Sequence, residues 1–216
     1  WEISFSIFFL RIANCFPFIC FSASFSYLSC CYRAIITNNT EQIEASNVID
    51  KNNKYIVLFP GGNWKPKIWP IECFNQLAHI LNDNFINLKF FIVGSLEEKK
   101  IYYEKIKHNL PNDIFIDLMG KSLTGTSAYM NKCNLFIGND SGLMHLSVAS
   151  NLKTIALFGP TNDKIYGHHN LNSFVIRTKE RYEVFNRNTI DISRSYMHSI
   201  KPKDILNFIK KNYLLW

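Results

Sequence analysis

Between Gly138 and His145 the chain reads Gly-Asn-Asp-Ser-Gly-Leu-Met-His, and these residue types at this spacing suit the binding of an anion. Asp140 or Ser141 can cap a helix that starts at Gly142, which leaves free backbone amides at the positive end of the helix dipole. His145 follows Ser141 by four positions and so falls on the same helix face, about one turn in. The same residues equally describe an ordinary N-cap with His145 packed or turned to solvent. A second candidate is Gly61-Gly62-Asn63, with Lys65 and Lys67 behind it. Glycines let backbone N–H groups approach a phosphate, and the lysines add positive charge. A plain turn with solvated lysines reads the same way. Glu97 and Glu98 form a third candidate, either as acceptors for ribose hydroxyls or as first-turn helix carboxylates. Gly159-Pro160-Thr161-Asn162-Asp163 is a further loop that can close over a ligand or simply end a strand.

The elements that must position these loops are legible as alternating patterns from Lys54 onward. Short, nearly continuous apolar runs at 55–59, 88–94, 114–117, 135–138 and 154–159 suit strands covered on both faces. Amphipathic stretches at about 70–83, 96–109, 123–132 and 142–150 predict helices between them, with Pro70 as a first-turn proline. A strand at about 173–177 and a helix at about 203–213 complete the set, while 178–200 has no clear pattern. Repeated βα units of this kind imply an α/β, Rossmann-like, doubly wound and mostly parallel sheet. In such sheets ligands bind beyond the carboxyl ends of the strands, where the Gly-rich loops above all fall.

Composition narrows the function classes. A hydrophobic share of 47% with 19% charged residues belongs to a core-forming protein. The net charge of +7 suits an anionic ligand or surface, but the lysines are scattered among Asn and Ile, which argues against nucleic acid as a partner. Of the six cysteines, Cys15, Cys20, Cys30 and Cys31 lie in the first 31 residues, and no Cys or His pair has a zinc spacing. Cys73 and Cys133 sit inside apolar helical patterns and read as small packed side chains. The remaining histidines, His79, His108, His168, His169 and His198, show no metal-ligand spacing. No GxGxxG opens a βαβ unit, which disfavours a nicotinamide-dependent dehydrogenase.

Residues 1–36 differ from the rest, being rich in Phe, Ser and Cys with Glu2, Arg11 and Arg33 as the charges. They fit a signal peptide or a membrane span poorly and are expected to be the remnant of a truncated upstream domain or a mistranslated leader. Residues 37–53 are polar and turn-rich and are expected to form a linker, with 54–216 as the ligand-binding domain. Trp1 in place of an initiator Met is what a fragment would show.

Taken in order, the stretches at 59–78, 90–98, 118–124, 136–149 and 155–163 resemble the ADP-heptose:lipopolysaccharide heptosyltransferases, with a weaker echo at 197–209. The Asp140-Ser141-Gly142 and His145 core followed by a strand and Phe158-Gly159-Pro160-Thr161 is the most specific part. The resemblance covers half to two-thirds of the chain and implies the donor-binding half of a two-domain GT-B fold. By position it implies that Gly61, Gly62, Asn63 and Lys67 face the donor phosphates, that Glu98 is the ribose-side carboxylate, and that Lys121 lines the adenine side. It also implies that Asp140 meets sugar hydroxyls, the amides of Ser141 and Gly142 meet phosphate, and His145 helps hold the diphosphate and sugar. The reaction implied is an inverting transfer of a heptose-type sugar from ADP-heptose, or a related nucleotide sugar, to a lipopolysaccharide core-type glycolipid. No cofactor or metal is expected, since Lys67 and a helix N-terminus can neutralise the leaving diphosphate. The family's Gly-Asp motif, which supplies the general base, has no counterpart in residues 1–54. Glu2 and Asp50 are the nearest carboxylates and lack its context. The chain is therefore expected to bind a nucleotide sugar with little turnover, the alternative being a non-catalytic nucleotide-binding module or degenerate remnant. A cytoplasmic location is expected, with peripheral contact at the inner face of the inner membrane compatible with the charge.

Overall fold

The computed structural model describes residues 37–168, 171–185 and 190–215. The expectations for residues 1–36 and for His169 lie outside the described residues. Six strands, β1 (Lys54–Phe59), β2 (Leu88–Ile92), β3 (Phe115–Asp117), β4 (Leu135–Asn139), β5 (Thr154–Phe158) and β6 (Ser173–Arg177), form one sheet in the order β3-β2-β1-β4-β5-β6. All five pairings are parallel, with Ile56 opposite both Phe90 and Leu135, and Ile155 opposite both Ile137 and Phe174. The strand order reverses direction between β1 and β4, and that reversal opens a crevice at the carboxyl ends of these two strands.

The helices are α1 (Asn39–Val48), α2 (Ile71–Asn84), α3 (Leu96–Ile106), α4 (Leu123–Met130), α5 (Gly142–Ala149), α6 (Asp163–Tyr166) and α7 (Pro202–Lys211). Strand side chains alternate between two cores. Ile56, Leu58, Phe90, Ile92, Leu135, Ile137, Ile155 and Leu157 meet α2, α3 and α7 on one face. Val57, Phe59, Phe91, Phe136, Ala156 and Phe158 meet α1, α4 and α5 on the other. Covering on both sides is why the strands read as continuous apolar runs. Full burial of each large apolar side chain contributes roughly 1.5–3 kcal/mol before ordering entropy is subtracted.

The fold class, the strands and the longer helices agree with the sequence, the short helix α6 follows a loop for which no helix was expected, and three further local differences have physical causes. Pro70 is the N-cap of α2 and not its first helical residue, with ψ of 137°. It therefore sits where an extended conformation is required. The polar stretch expected to be turn-rich contains α1, whose start is closed by a capping box between Asn38 and Glu41. Ala45 is its buried residue, and α1 packs on α4, so tertiary contact supplies what its weak amphipathicity does not. The unpatterned stretch 190–200 is irregular yet buries Met197 and Ile200. It lies along the loop after β1: Tyr196 N donates to Pro66 O at 3.0 Å, Ser195 Oγ to Ile68 O at 2.6 Å, and Trp69 Nε1 to Ile200 O at 3.0 Å.

Candidate functional site

The crevice between β1 and β4 is built around Asn139, a residue whose importance its sequence context does not signal. Its fully buried side chain donates from Nδ2 to Pro60 O (3.2 Å) and Gly61 O (2.9 Å) and accepts from Trp69 N (3.0 Å). Three hydrogen bonds from one amide fasten the end of β4 to the loop after β1, and a buried amide in this position requires such partners. That loop continues into a tight turn over Lys65–Lys67, with Pro66 buried and Trp69 stacked edge-on against Phe74 at 4.9 Å. Lys67 is thereby directed back over the crevice, where Nζ lies 3.5 Å from Asp140 Oδ2; the side chains are 15% and 7% exposed. The ion pair is thus largely removed from water and stronger than a surface pair.

Gly61 and Gly62 are needed for a second reason. Gly62 has φ of 155°, and its N–H donates to Glu98 Oε1 at 2.8 Å. A Cβ on Gly61 would stand 1.9 Å from the same oxygen. Glu98 Oε2 accepts from Ser95 N at 2.8 Å, while Ser95 Oγ accepts from Glu98 N, which completes a capping box on α3. Glu98 therefore ties the loop after β1 to the start of α3, and both readings of this carboxylate meet in one residue. Its oxygens retain lone pairs that can still accept from a ligand. Asn63 is exposed at the outer edge of the same loop.

Across the crevice Ser141 is the N-cap of α5, its side chain accepting from Met144 N at 3.3 Å. Gly142 is exposed, and a Cβ added there would meet no atom within 4 Å. The first turn of α5 is thus open at Gly142, two residues after Asp140 and its pair with Lys67, an arrangement that favours an anion. His145 stands one turn further in, with Nδ1 2.6 Å from His168 Nε2 and the rings nearly perpendicular. Burial, then His168, push its pKa down to about 4; Asp140 opposes them and Lys67 adds to them. The imidazole is accordingly neutral at pH 7. His168 comes 23 positions later in the chain, after α6, and no local spacing could have paired it with His145.

Beyond β5, Asn162 caps α6 and Arg177 binds the Gly159–Asp163 loop from the end of β6. Its guanidinium pairs with Asp163 and donates to Gly159 O and Glu180 O, each at 3.0 Å. Met197 packs so closely that a Cβ on Gly159 would meet its sulfur at 2.3 Å. Arg177, like Asn139 and His168, was not singled out by sequence.

Of the residues expected at the site, Gly61, Gly62, Lys67, Glu98, Asp140, Ser141, Gly142 and His145 come together around this crevice. Lys121, expected on the adenine side, lies in the loop after β3, where Nζ pairs with Glu44 Oε1 at 2.7 Å and lies over the Tyr129 ring. Asp50 sits in the turn before β1, at the opposite end of the sheet, where its carboxylate accepts from Asn52 N. Cys73 and Cys133 are half-buried with thiol pKa values raised chiefly by burial. Among the described residues no helix is long and apolar enough to cross a membrane.

Comparison with known proteins gives one consistent answer. The lipopolysaccharide heptosyltransferase 1 of Campylobacter coli is 28% identical over 166 residues, 76% of this chain and 48% of that protein. The lipooligosaccharide heptosyltransferase 2 of Campylobacter jejuni subsp. jejuni serotype O:6 is 30% identical over 176 residues, 76% of this chain and 53% of its own length. The chain thus spans about half the length of these curated relatives. Among solved structures, the family 9 glycosyl transferase of Veillonella parvula superposes with a TM-score of 0.68 at 22% identity, covering 83% of this chain and 53% of that one. The Escherichia coli heptosyltransferase WaaC with ADP gives 0.62 at 17% identity, covering 79% and 48%. At these identities the superpositions speak for the fold. The model of glycosyltransferase family 9 (heptosyltransferase) matches residues 33–194, well over half of the sequence, and the chain belongs to that family.

Proposed function

We propose that this domain holds the donor of a heptosyl transfer, ADP-heptose or a related nucleotide sugar, with the diphosphate over the N-terminus of α5. The observation that carries the reading is the open space above Gly142 beside the Lys67–Asp140 pair, at the point where the strand order reverses. The amides of Ser141 and Gly142 and the Lys67 ammonium would take the negative charge that grows on ADP as it departs, without a metal ion. Asp140 would accept from sugar hydroxyls, and Glu98, already fixed by two backbone donors, would accept from ribose. The relatives named above are lipopolysaccharide and lipooligosaccharide heptosyltransferases, which supports a lipopolysaccharide core-type glycolipid as acceptor.

In the transfer an acceptor hydroxyl attacks the anomeric carbon, the bond to the diphosphate oxygen breaks, and a base takes the hydroxyl proton. At this crevice Asp140 is held by Lys67 and Glu98 by Gly62 and Ser95, and neither is assigned that role. A net charge of +7 would favour peripheral contact with an anionic membrane carrying the acceptor. Calorimetric titration with ADP, UDP and NAD tests the reading: ADP should bind best, with equal affinity in EDTA and in magnesium. Preference for NAD, or no binding of ADP, would remove it.

A further inference from the structure

The contact between His145 and His168 has a chemical consequence for the donor site. Two ring nitrogens 2.6 Å apart require one proton between them, so one imidazole donates and the other accepts. Both nitrogens cannot carry protons at that separation, which limits the pair to a neutral state and a singly charged state that share the proton. His168 is a half-buried residue of the loop following α6, and His145 lies on the first turn of α5, four residues after its cap. The charged groups that bear on His145 come from three separate elements: Asp140 from the end of β4, Lys67 from the turn after β1, and His168 itself. Without an anion in the crevice, burial, then His168 and Lys67, hold His145 neutral against Asp140. A diphosphate over Gly142 would add negative charge about one helical turn away and reverse that balance.

We infer that His168 is a positioning residue for the donor site, which holds His145 through Nδ1 and lets the pair take up one proton when a nucleoside diphosphate binds over α5. This rests on the donor reading above and adds to it. The bridging proton is already present in the neutral pair, so the added proton comes from solvent, goes to the outer ring nitrogen that is still bare, Nε2 of His145 or Nδ1 of His168, and returns to solvent when the nucleotide leaves. The positive charge so created adds to that of Lys67 only while the anion is present, so the empty crevice is spared a second buried cation. Affinity for ADP should therefore fall as pH rises, and the fall should depend on His168.

The test is titration of the full chain with ADP at pH 7 in two buffers of different ionisation enthalpy, which yields the number of protons taken up. The ionisation of ADP itself is common to all variants, so differences between proteins belong to the pair. The wild type should take up about half a proton or more beyond His168→Leu, and it should bind ADP about tenfold more tightly than that variant at pH 6.5, with the gap closing by pH 9. His168→Gln, which still offers an oxygen acceptor to His145, should retain part of the uptake. Equal proton counts in wild type and His168→Leu, or an affinity ratio between the two that does not change from pH 6 to 9, would overturn the inference while leaving the donor reading intact. Absence of ADP binding would overturn both. Should His168→Leu fail to fold, the difference in proton count and pH profile between wild type and His168→Gln still decides.

Discussion

The crevice between β1 and β4 and the rim beyond β3 both carry polar and charged residues in the loops that follow strands, yet they are held in opposite ways. In the crevice Asn139, Asp140 and His145 find their partners away from water, and those partners come from distant parts of the chain. At the rim Lys121, Ser122 and Thr124 are held by Glu41 and Glu44 of α1, and Glu44 is exposed. Buried polar contacts are costly to break and resist screening, whereas exposed ion pairs are worth little. The crevice is therefore a preorganised place for a highly charged ligand. The rim is an adjustable surface on which α1 rests.

The largest effect should come from the amide that fastens the crevice. Asn139→Leu removes three hydrogen bonds and strands two carbonyls and one N–H, so chemical denaturation should show a loss of about 3 kcal/mol. A loss comparable to that of a surface substitution would mean that the crevice is no more firmly built than the rim.

A similar magnitude is expected from acid. His145 is held neutral when folded, its pKa lying at about 4 against an ordinary 6.5, so the unfolded chain binds more protons between those values. Stability should thus fall as pH drops from 6.5 towards 4, by up to about 3 kcal/mol, and this component should be unchanged above pH 7. In His145→Gln the decline across the same window should be shallower. Parallel pH profiles for the two proteins would show that the imidazole is not buried as described.

Glu98 is held by backbone donors from two elements, the loop after β1 and the start of α3. Glu98→Gln leaves an oxygen acceptor for one of the two backbone donors and orphans the other, which should cost about 1 kcal/mol. Lys121→Ala should have the smallest effect, leaving the denaturation midpoint unchanged within error, since its partner Glu44 is exposed. A marked destabilisation there would show that α1 is integral to the domain.

The sheet was legible because strands covered on both faces must be apolar throughout, and the loops that follow them must bear the polar residues. Asp140, Ser141 and Gly142 were legible for a similar reason: the geometry of a helix start is local and leaves a local pattern. Asn139, His168 and Arg177 were not, since each acts on a partner that the fold, and not the spacing, brings near. The stretch 195–200 shows the same limit, for its hydrogen bonds to the Pro66–Trp69 loop leave no periodicity to detect. Helix α1 escaped notice because its stabilising contacts lie on α4 and not in its own sequence. Lys121 was the reverse case, a residue whose position in a family motif says nothing of the glutamate that pairs with it here.

Gly142 isolates the start of α5, where the donor diphosphate is proposed to sit. Because a Cβ at Gly142 meets no protein atom, Gly142→Ala should leave folding stability unchanged or slightly raised. In calorimetric titration the same variant should bind ADP at least about tenfold more weakly than the wild type, a loss of about 1.4 kcal/mol. Equal ADP affinity for the two proteins, with both fully folded, would contradict the account.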